Sequence, residues 1–124
     1  MFYLAIILTG GLGALLRYFL GRVMTGVSFS ALPFATLIAN VLGCFLMGYL
    51  SWMLIHKFGA SEQAQVVVLT GFLGGFTTFS AFSLEVINLL EQGADVRAMV
   101  YITLSVTLCI AMCFLGLMLA RQTS

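Results

Sequence analysis

Phenylalanine and hydroxyl side chains alternate along one otherwise apolar stretch, GFLGGFTTFSAFSLE, between Gly71 and Glu85. Polar groups in membrane helices usually face a bundle interior or a water-filled path. An aromatic ring is positive at its edge, so ring edges and donating hydroxyl groups together can accommodate an anion, although packing is the ordinary role of any single phenylalanine. The phenylalanines recur every third position and should share one face. These residues are Phe76, Phe79 and Phe82, with the hydroxyl residues Thr78, Ser80 and Ser83 between them.

A glycine pair, Gly74 and Gly75, precedes the threonines Thr77 and Thr78 in the same stretch. Glycine costs about 1 kcal/mol in a helix interior relative to alanine, and nearby hydroxyl groups can bond the backbone groups that a break releases. The pattern therefore predicts a helix break near the membrane midplane. Such breaks bind ions, because freed carbonyl groups attract cations and the positive ends of half-helices attract anions.

Further polar side chains lie at helical spacing in two other apolar segments. Thr36 and Asn40 are four residues apart and share a face, so Asn40 either makes an interhelical hydrogen bond or lines a pore as an amide donor. Tyr101, Ser105 and Cys109 follow the spacing i, i+4, i+8, which makes a stripe of weak donors. The alternative for such hydroxyl groups is a bond back to their own helix backbone.

Two charged residues are candidates for a role near an ion path. Arg17 falls near the end of the first apolar segment, where it either snorkels to the interface or places a positive charge in a vestibule. Glu85 ends the uncharged run of the third segment and is either interfacial or an internal partner of Arg17.

The elements that position these residues are transmembrane helices. Of 124 residues, 62% are hydrophobic and 7% are charged, against about 25% charged residues in ordinary soluble domains. A membrane span needs about 20 apolar residues, and the sequence supplies four such segments in a single domain, at about residues 2–20, 32–55, 63–91 and 98–120. The predicted fold class is therefore an all-α membrane protein with four transmembrane helices. No basic run supports nucleic acid binding.

The three cysteines, Cys44, Cys109 and Cys113, all fall inside predicted spans. They lack CxxC spacing and no histidines cluster with them, so neither a disulfide framework nor a zinc site is predicted. The expected role is that of small apolar fillers.

Positive charges are balanced between the two sides of the predicted bundle. With four spans, Lys57 and Arg121 fall on one side, and Arg22 and Arg97 fall on the other, with Arg17 near that side. Orientation normally follows an excess of Lys and Arg in cytoplasmic loops, which is missing here. Either the chain inserts one way for another reason, or it inserts both ways and pairs antiparallel. Four short helices also cannot enclose a wide cavity, which favours an oligomer.

Three segments resemble the Fluc (CrcB) family of fluoride ion channels: GGLGALLRY in the first span, TLIANVLGCF in the second and GFLGGFTTFSAFSLE in the third. The resemblance, with the four-span length, covers the chain. It implies an antiparallel, dual-topology homodimer with two fluoride pores in the lipid bilayer. It further implies passive, fluoride-selective export across the cytoplasmic (inner) membrane of a prokaryote, which relieves fluoride toxicity, and no enzymatic activity.

The resemblance also assigns roles to individual residues. A structural sodium ion is expected on the backbone carbonyl groups of Gly74 and Thr77, Arg17 is expected in the vestibule, and Glu85 closes the third motif. Cys109 occupies a position where relatives commonly have a hydroxyl. The expected fluoride pore consists of Phe79, Phe82, Asn40, Thr78, Ser80, Ser83, Tyr101 and Ser105.

Three other functions have less support in the sequence. A small four-span multidrug exporter needs a membrane-embedded carboxylate, for which Glu85 is the candidate. A non-transporting anchor that held haem would need a suitably placed histidine, and His56 lies at a span end beside Lys57. An enzyme would need a nucleophile, a base and an orienting group together, and the sequence does not present them.

Overall fold

The computed structural model describes residues 1–25 and 32–124, and all regular elements within these two ranges are helical. Four helices are long and apolar enough to cross a membrane. The predicted fold class is confirmed, although each span is longer or shifted by a few residues. The four spans are Phe2–Met24, Phe34–Lys57, Glu62–Glu91 and Asp95–Thr123. We call the first α1, the second α2 and the last α5.

The third span consists of two helical parts with different backbone geometry between them. Its first part, residues 62–76, is called α3 and comprises Glu62–Gln65, a π-helical segment Val66–Leu73 and Gly74–Phe76. The second part, α4, is Phe79–Glu91. Between them, Thr77 and Thr78 have extended backbones, with φ, ψ of −84°, 159° and −154°, 121°.

The extended residues are the two threonines that follow the glycine pair in the segment where the sequence predicted a break. Gly74 is itself helical, with φ −62° and ψ −36°. Phe76 therefore belongs to α3, where its ring stacks with that of Phe72 at a centroid distance of 6.5 Å. The prediction that Phe76 shares a helical face with Phe79 and Phe82 is wrong, because the extended backbone at Thr77 and Thr78 interrupts the helical spacing between them.

The helices pack as two principal pairs, α1 against α3 and α2 against α5, and α4 packs against α5. Small residues allow membrane helices to approach until their backbones touch. On α2, Gly48 meets the backbone of Cys113 and Leu117, and on α5, Gly116 meets the backbone of Phe45 and Tyr49. A side chain at either glycine would collide with the opposite helix, so these glycines fix the α2–α5 distance.

A cluster of buried side chains joins α2, α4 and α5. Its members are Leu37, Phe82, Val86, Leu89, Ala98 and Tyr101. Outside this cluster most large apolar side chains of the spans are exposed, and only 6% of the α1 window is buried. This apolar surface fits a lipid bilayer, so the chain is a multi-pass membrane protein.

Tight turns join the spans where the structure describes them. Gly59 and Gly93 have positive φ values of 56° and 73°, which glycine adopts without strain. Ser61 caps α3 by accepting a hydrogen bond from the Ala64 N–H at 3.2 Å.

Candidate functional site

A cavity of about 320 Å³ lies between α2, the Thr77–Thr78 segment, the start of α4 and the middle of α5. A single water needs only about 10–15 Å³ on a comparable measure, so the space can hold an ion with part of its hydration shell. The residues that line it are Asn40, Cys44, Thr77, Thr78, Phe79, Phe82, Ser105, Val106, Cys109 and Ile110.

The side-chain amide of Asn40 is bonded in both directions to the backbone of Thr78. Asn40 Nδ2 donates to Thr78 O at 2.9 Å, and the Thr78 N–H donates to Asn40 Oδ1 at 2.7 Å. A primary amide has two N–H donors, so one donor of Asn40 is left for the cavity. Asn40 thus holds the extended segment in place and also faces the space beside it.

Thr78 begins α4 as its N-terminal cap. Its hydroxyl group accepts from the Ala81 N–H at 3.2 Å and lies 3.2 Å from the hydroxyl of Ser80. The first turn of a helix carries unpaired N–H groups and a partial positive charge. The positive end of α4 is therefore directed toward the cavity.

Two phenylalanine rings border the cavity in a tilted arrangement. The rings of Phe79 and Phe82 are 5.4 Å apart at an interplanar angle of 48°, and Phe82 meets the Tyr101 ring at 5.2 Å and 47°. Tilted pairs direct the positive edge of one ring toward the negative face of the next. Phe82 is 7% exposed, whereas Phe79 is 76% exposed, so a single chain leaves Phe79 largely uncovered.

The hydroxyl of Ser105 is a buried donor without a hydrogen-bond partner in the described part of the chain. Ser105 is 5% exposed and lines the cavity. Native proteins satisfy the great majority of buried polar groups, so an unpaired one is unusual. A ligand or water inside the cavity would supply the missing partner.

Glu85 lies outside the cavity lining and joins three helices. One of its carboxylate oxygens accepts from the Thr36 hydroxyl and the other from the Tyr101 hydroxyl, each at 2.6 Å. The suggested pairing with Arg17 is wrong, because Arg17 Nε donates to Gly75 O at 3.4 Å instead. Since α1 continues to Met24, Arg17 also lies well inside its helix and is half-buried rather than terminal.

Five of the eight residues expected in the pore line this one cavity: Asn40, Thr78, Phe79, Phe82 and Ser105. The other three do not line it. Ser80 is exposed, Ser83 donates back to Phe79 O at 2.9 Å, and the Tyr101 hydroxyl bonds Glu85. The pore roles of all eight remain predictions.

The lining residues that sequence reasoning missed are Cys44, Val106 and Ile110. Cys44 lies one helical turn after Asn40, and that spacing was the available signal. Val106 and Ile110 are apolar like their neighbours in the span, so only the packing of α5 against α2 identifies them as lining residues.

The carbonyl groups of Gly74 and Thr77 have lost their usual helical partners. The N–H that would bond Gly74 O in a continuous helix belongs to Thr78, and it donates to Asn40 Oδ1. The N–H four residues after Thr77 belongs to Ala81, and it donates to the Thr78 hydroxyl. Carbonyl oxygens suit hard cations, so both residues fit the donor set expected for sodium.

The sequence is similar to a family of membrane proteins. Residues 4–117 match the family described as CrcB-like protein, Camphor Resistance (CrcB). Each of three similar proteins is named fluoride-specific ion channel FluC. The one from Rhizobium etli is 46% identical over 90% of both chains, and the one from Rhizobium meliloti is 47% identical over the same shares. The one from Erythrobacter litoralis is 47% identical over 95% of this chain and 90% of its own.

This similarity agrees with the prediction that the chain is not an enzyme. The matched region includes all four spans almost completely, together with every residue that lines the cavity. With such extensive identity, the chain belongs to the CrcB family.

Proposed function

We propose that this protein is a fluoride-selective channel that exports fluoride passively across the cytoplasmic membrane of a prokaryote. The observation that carries the proposal is the unpaired Ser105 hydroxyl in a cavity bordered by the Phe79 and Phe82 rings. The names of the relatives supply the identity of the ion. Lining residues alone would support an anion path without choosing among anions.

In this proposal the cavity replaces the hydrogen bonds that an anion loses when it leaves water. An unpaired ion in a low-dielectric interior costs several kcal/mol even after relaxation. The Ser105 hydroxyl and the free N–H of Asn40 are donors to an ion here, and the positive end of α4 adds to the local potential. The edges of Phe79 and Phe82 replace further water contacts while they exclude bulk water.

An antiparallel homodimer explains two features that a single chain leaves open. Phe79 is 76% exposed, although it borders the proposed path, so a second subunit is needed to cover it. The balance of Lys and Arg between the two sides allows both orientations of insertion. A pair of opposed chains would have two equivalent paths, one at each cavity.

Sodium is proposed as a structural ion on Gly74 O and Thr77 O. When bound, it would supply a fixed positive charge next to the extended segment. In the chain itself, Asn40 and Thr78 prepare this site, because their hydrogen bonds divert the two N–H groups that would otherwise occupy the carbonyls.

Arg17 is proposed to contribute to a vestibule, where its charge raises the local concentration of anions. Its half-buried position beside Gly75 O keeps the guanidinium close to the extended segment. The carboxylate of Glu85 is held by Thr36 and Tyr101, so it braces the helices around the path in this proposal. These two bonds give it a role other than proton exchange with a drug.

The proposal is tested by halide efflux from liposomes that contain the purified protein. Vesicles are loaded with fluoride or with chloride, and an electrode for each ion records release. We expect rapid loss of fluoride without loss of chloride. Release of neither ion, or of both at similar rates, would contradict the proposal.

A pair of variants links the flux to the cavity. Ser105→Ala removes the unpaired hydroxyl and is expected to slow fluoride release. Thr107→Ala removes an exposed hydroxyl on the same helix and should leave the release rate unchanged. Equal effects of the two substitutions would mean that the ion does not pass Ser105.

A further inference from the structure

Two cysteine thiols from different helices face the same cavity. Cys44 on α2 and Cys109 on α5 both line it. Both side chains are partly accessible and neither forms a disulfide. The pair therefore presents two soft sulfur ligands toward one cavity.

The packing of α2 on α5 holds this pair in register. Gly48 and Gly116 bring the two helix backbones into contact. Gly48 lies one turn after Cys44 and touches the backbone at Cys113, which lies one turn after Cys109. The two cysteines consequently occupy matching positions one turn before this backbone contact.

We propose that Cys44 and Cys109 form a binding site for one soft monovalent cation of the Ag⁺ or Cu⁺ type, and that its occupation closes the path. Thiolate and thiol sulfur are the ligands that select such d¹⁰ cations. The closure rests on the fluoride-channel function proposed above, whereas the binding itself does not.

The binding step conserves charge within the membrane. The cation forms a bond to the sulfur of Cys109 as that thiol releases one proton, and the neutral thiol of Cys44 donates a sulfur lone pair as the second ligand. One positive charge enters and one leaves, so the occupied site has no net charge. This outcome avoids the large cost of an unpaired charge at this depth.

A cation held there would interfere directly with the lining groups. Cys109 lies one helical turn from Ser105, and Cys44 lies one turn from Asn40. An ion with two sulfur ligands would occupy the space between these donors and the phenylalanine rings. Fluoride is a hard anion and does not displace sulfur ligands from a soft cation. The block should therefore persist at high fluoride concentration.

The test uses Ag⁺ as the probe and Cys113→Ser as the background. The sequence has three cysteines, so this background leaves only the cavity pair. Binding of Ag⁺ to the purified protein in chloride-free nitrate buffer is measured by equilibrium dialysis with elemental mass spectrometry, and fluoride efflux is measured in parallel. We expect one Ag⁺ per subunit, one proton released per Ag⁺, and loss of fluoride efflux.

Addition of Cys44→Ser or Cys109→Ser to the background removes one of two linked ligands. We expect each to weaken Ag⁺ binding by about a hundredfold and to restore efflux in the presence of Ag⁺. Unchanged binding in either variant would overturn the site, and full binding with unchanged efflux would overturn the closure. If the background protein conducts no fluoride without Ag⁺, the channel proposal fails while the dialysis still decides whether the thiol pair binds the cation.

Discussion

The two hydrogen bonds between Asn40 and Thr78 allow scaffold and pore roles of one residue to be separated. Asn40→Leu removes the donor to Thr78 O and the acceptor for the Thr78 N–H. Asn40→Asp keeps the acceptor and removes only the donor. A hydrogen bond between membrane helices is worth about 0.6 to 2 kcal/mol, so Asn40→Leu should lose about 1 to 4 kcal/mol of unfolding free energy. Asn40→Asp keeps one bond, but it buries a carboxylate whose second oxygen faces Thr78 O, so its loss of unfolding free energy should be at least as large.

The two variants should differ strongly in fluoride flux. An aspartate would place a negative charge beside the path. Two unit charges about 4 Å apart repel by about 4 kcal/mol at an effective dielectric constant of about 20, which corresponds to a rate lower by about a thousandfold. Leucine adds no charge, so its effect on flux comes only from the displaced extended segment.

The assay compares fluoride efflux from liposomes with thermal unfolding in detergent for both variants. We expect both variants to be less stable than the wild type, and Asn40→Asp to be the slower channel by far. If Asn40→Asp conducts as well as Asn40→Leu, then Asn40 only supports Thr78 and does not line the path.

Three further predictions concern the rings, the helix contact and the carboxylate. Phe79→Ile and Phe82→Ile should both reduce fluoride efflux. Only Phe82→Ile should also lower the melting temperature, because Phe82 is buried and Phe79 is exposed in the single chain. Normal efflux in both variants would refute the ring-edge mechanism. Gly116→Val should destabilise the protein by about 1–3 kcal/mol in thermal unfolding, since the new side chain meets the α2 backbone, and an unchanged melting temperature would contradict the described packing. Tyr101→Phe leaves one oxygen of Glu85 without its donor and should lower the free energy of unfolding by about 1 kcal/mol in the same assay. A melting curve identical to that of the wild type would contradict this prediction.

Hydrophobicity and spacing predicted the four spans and much of the cavity. Asn40, Thr78 and Ser105 were identified because a polar side chain in an apolar span is costly unless it faces a bundle interior or a water-filled path. The structure brings all three to one space. The spacing singled out Phe79 and Phe82 together with Phe76, and the resemblance to the family selected the first two as pore residues. These inferences were local, and each depended on residues of one segment.

The sequence of the third span predicted a break among its glycines and threonines, but it could not show which of these residues are extended. Glycine only lowers the helical preference of a segment, and Gly74 remains helical. The backbone is extended at Thr78 because Asn40, 38 residues earlier, bonds both its N–H and its carbonyl group. A contact over that separation depends on how α2 packs, which explains why Phe76 was placed on the wrong helical part.

Long-range packing also explains the residues that were missed or given other partners. Cys44 lines the cavity because α2 packs against α5, and its spacing from Asn40 was the only signal in the sequence. Glu85 bonds Thr36 and Tyr101 because three helices meet there, whereas charge alone suggested Arg17.

The central claim is that fluoride passes selectively along the cavity. The most direct test is the reversal potential of a bilayer containing the protein, with fluoride in tenfold excess on one side and chloride balancing the charge on the other. A fluoride-selective path should reverse near the fluoride equilibrium potential, about 59 mV in magnitude. Reversal near the chloride potential, which has the opposite sign, or near zero would contradict the account.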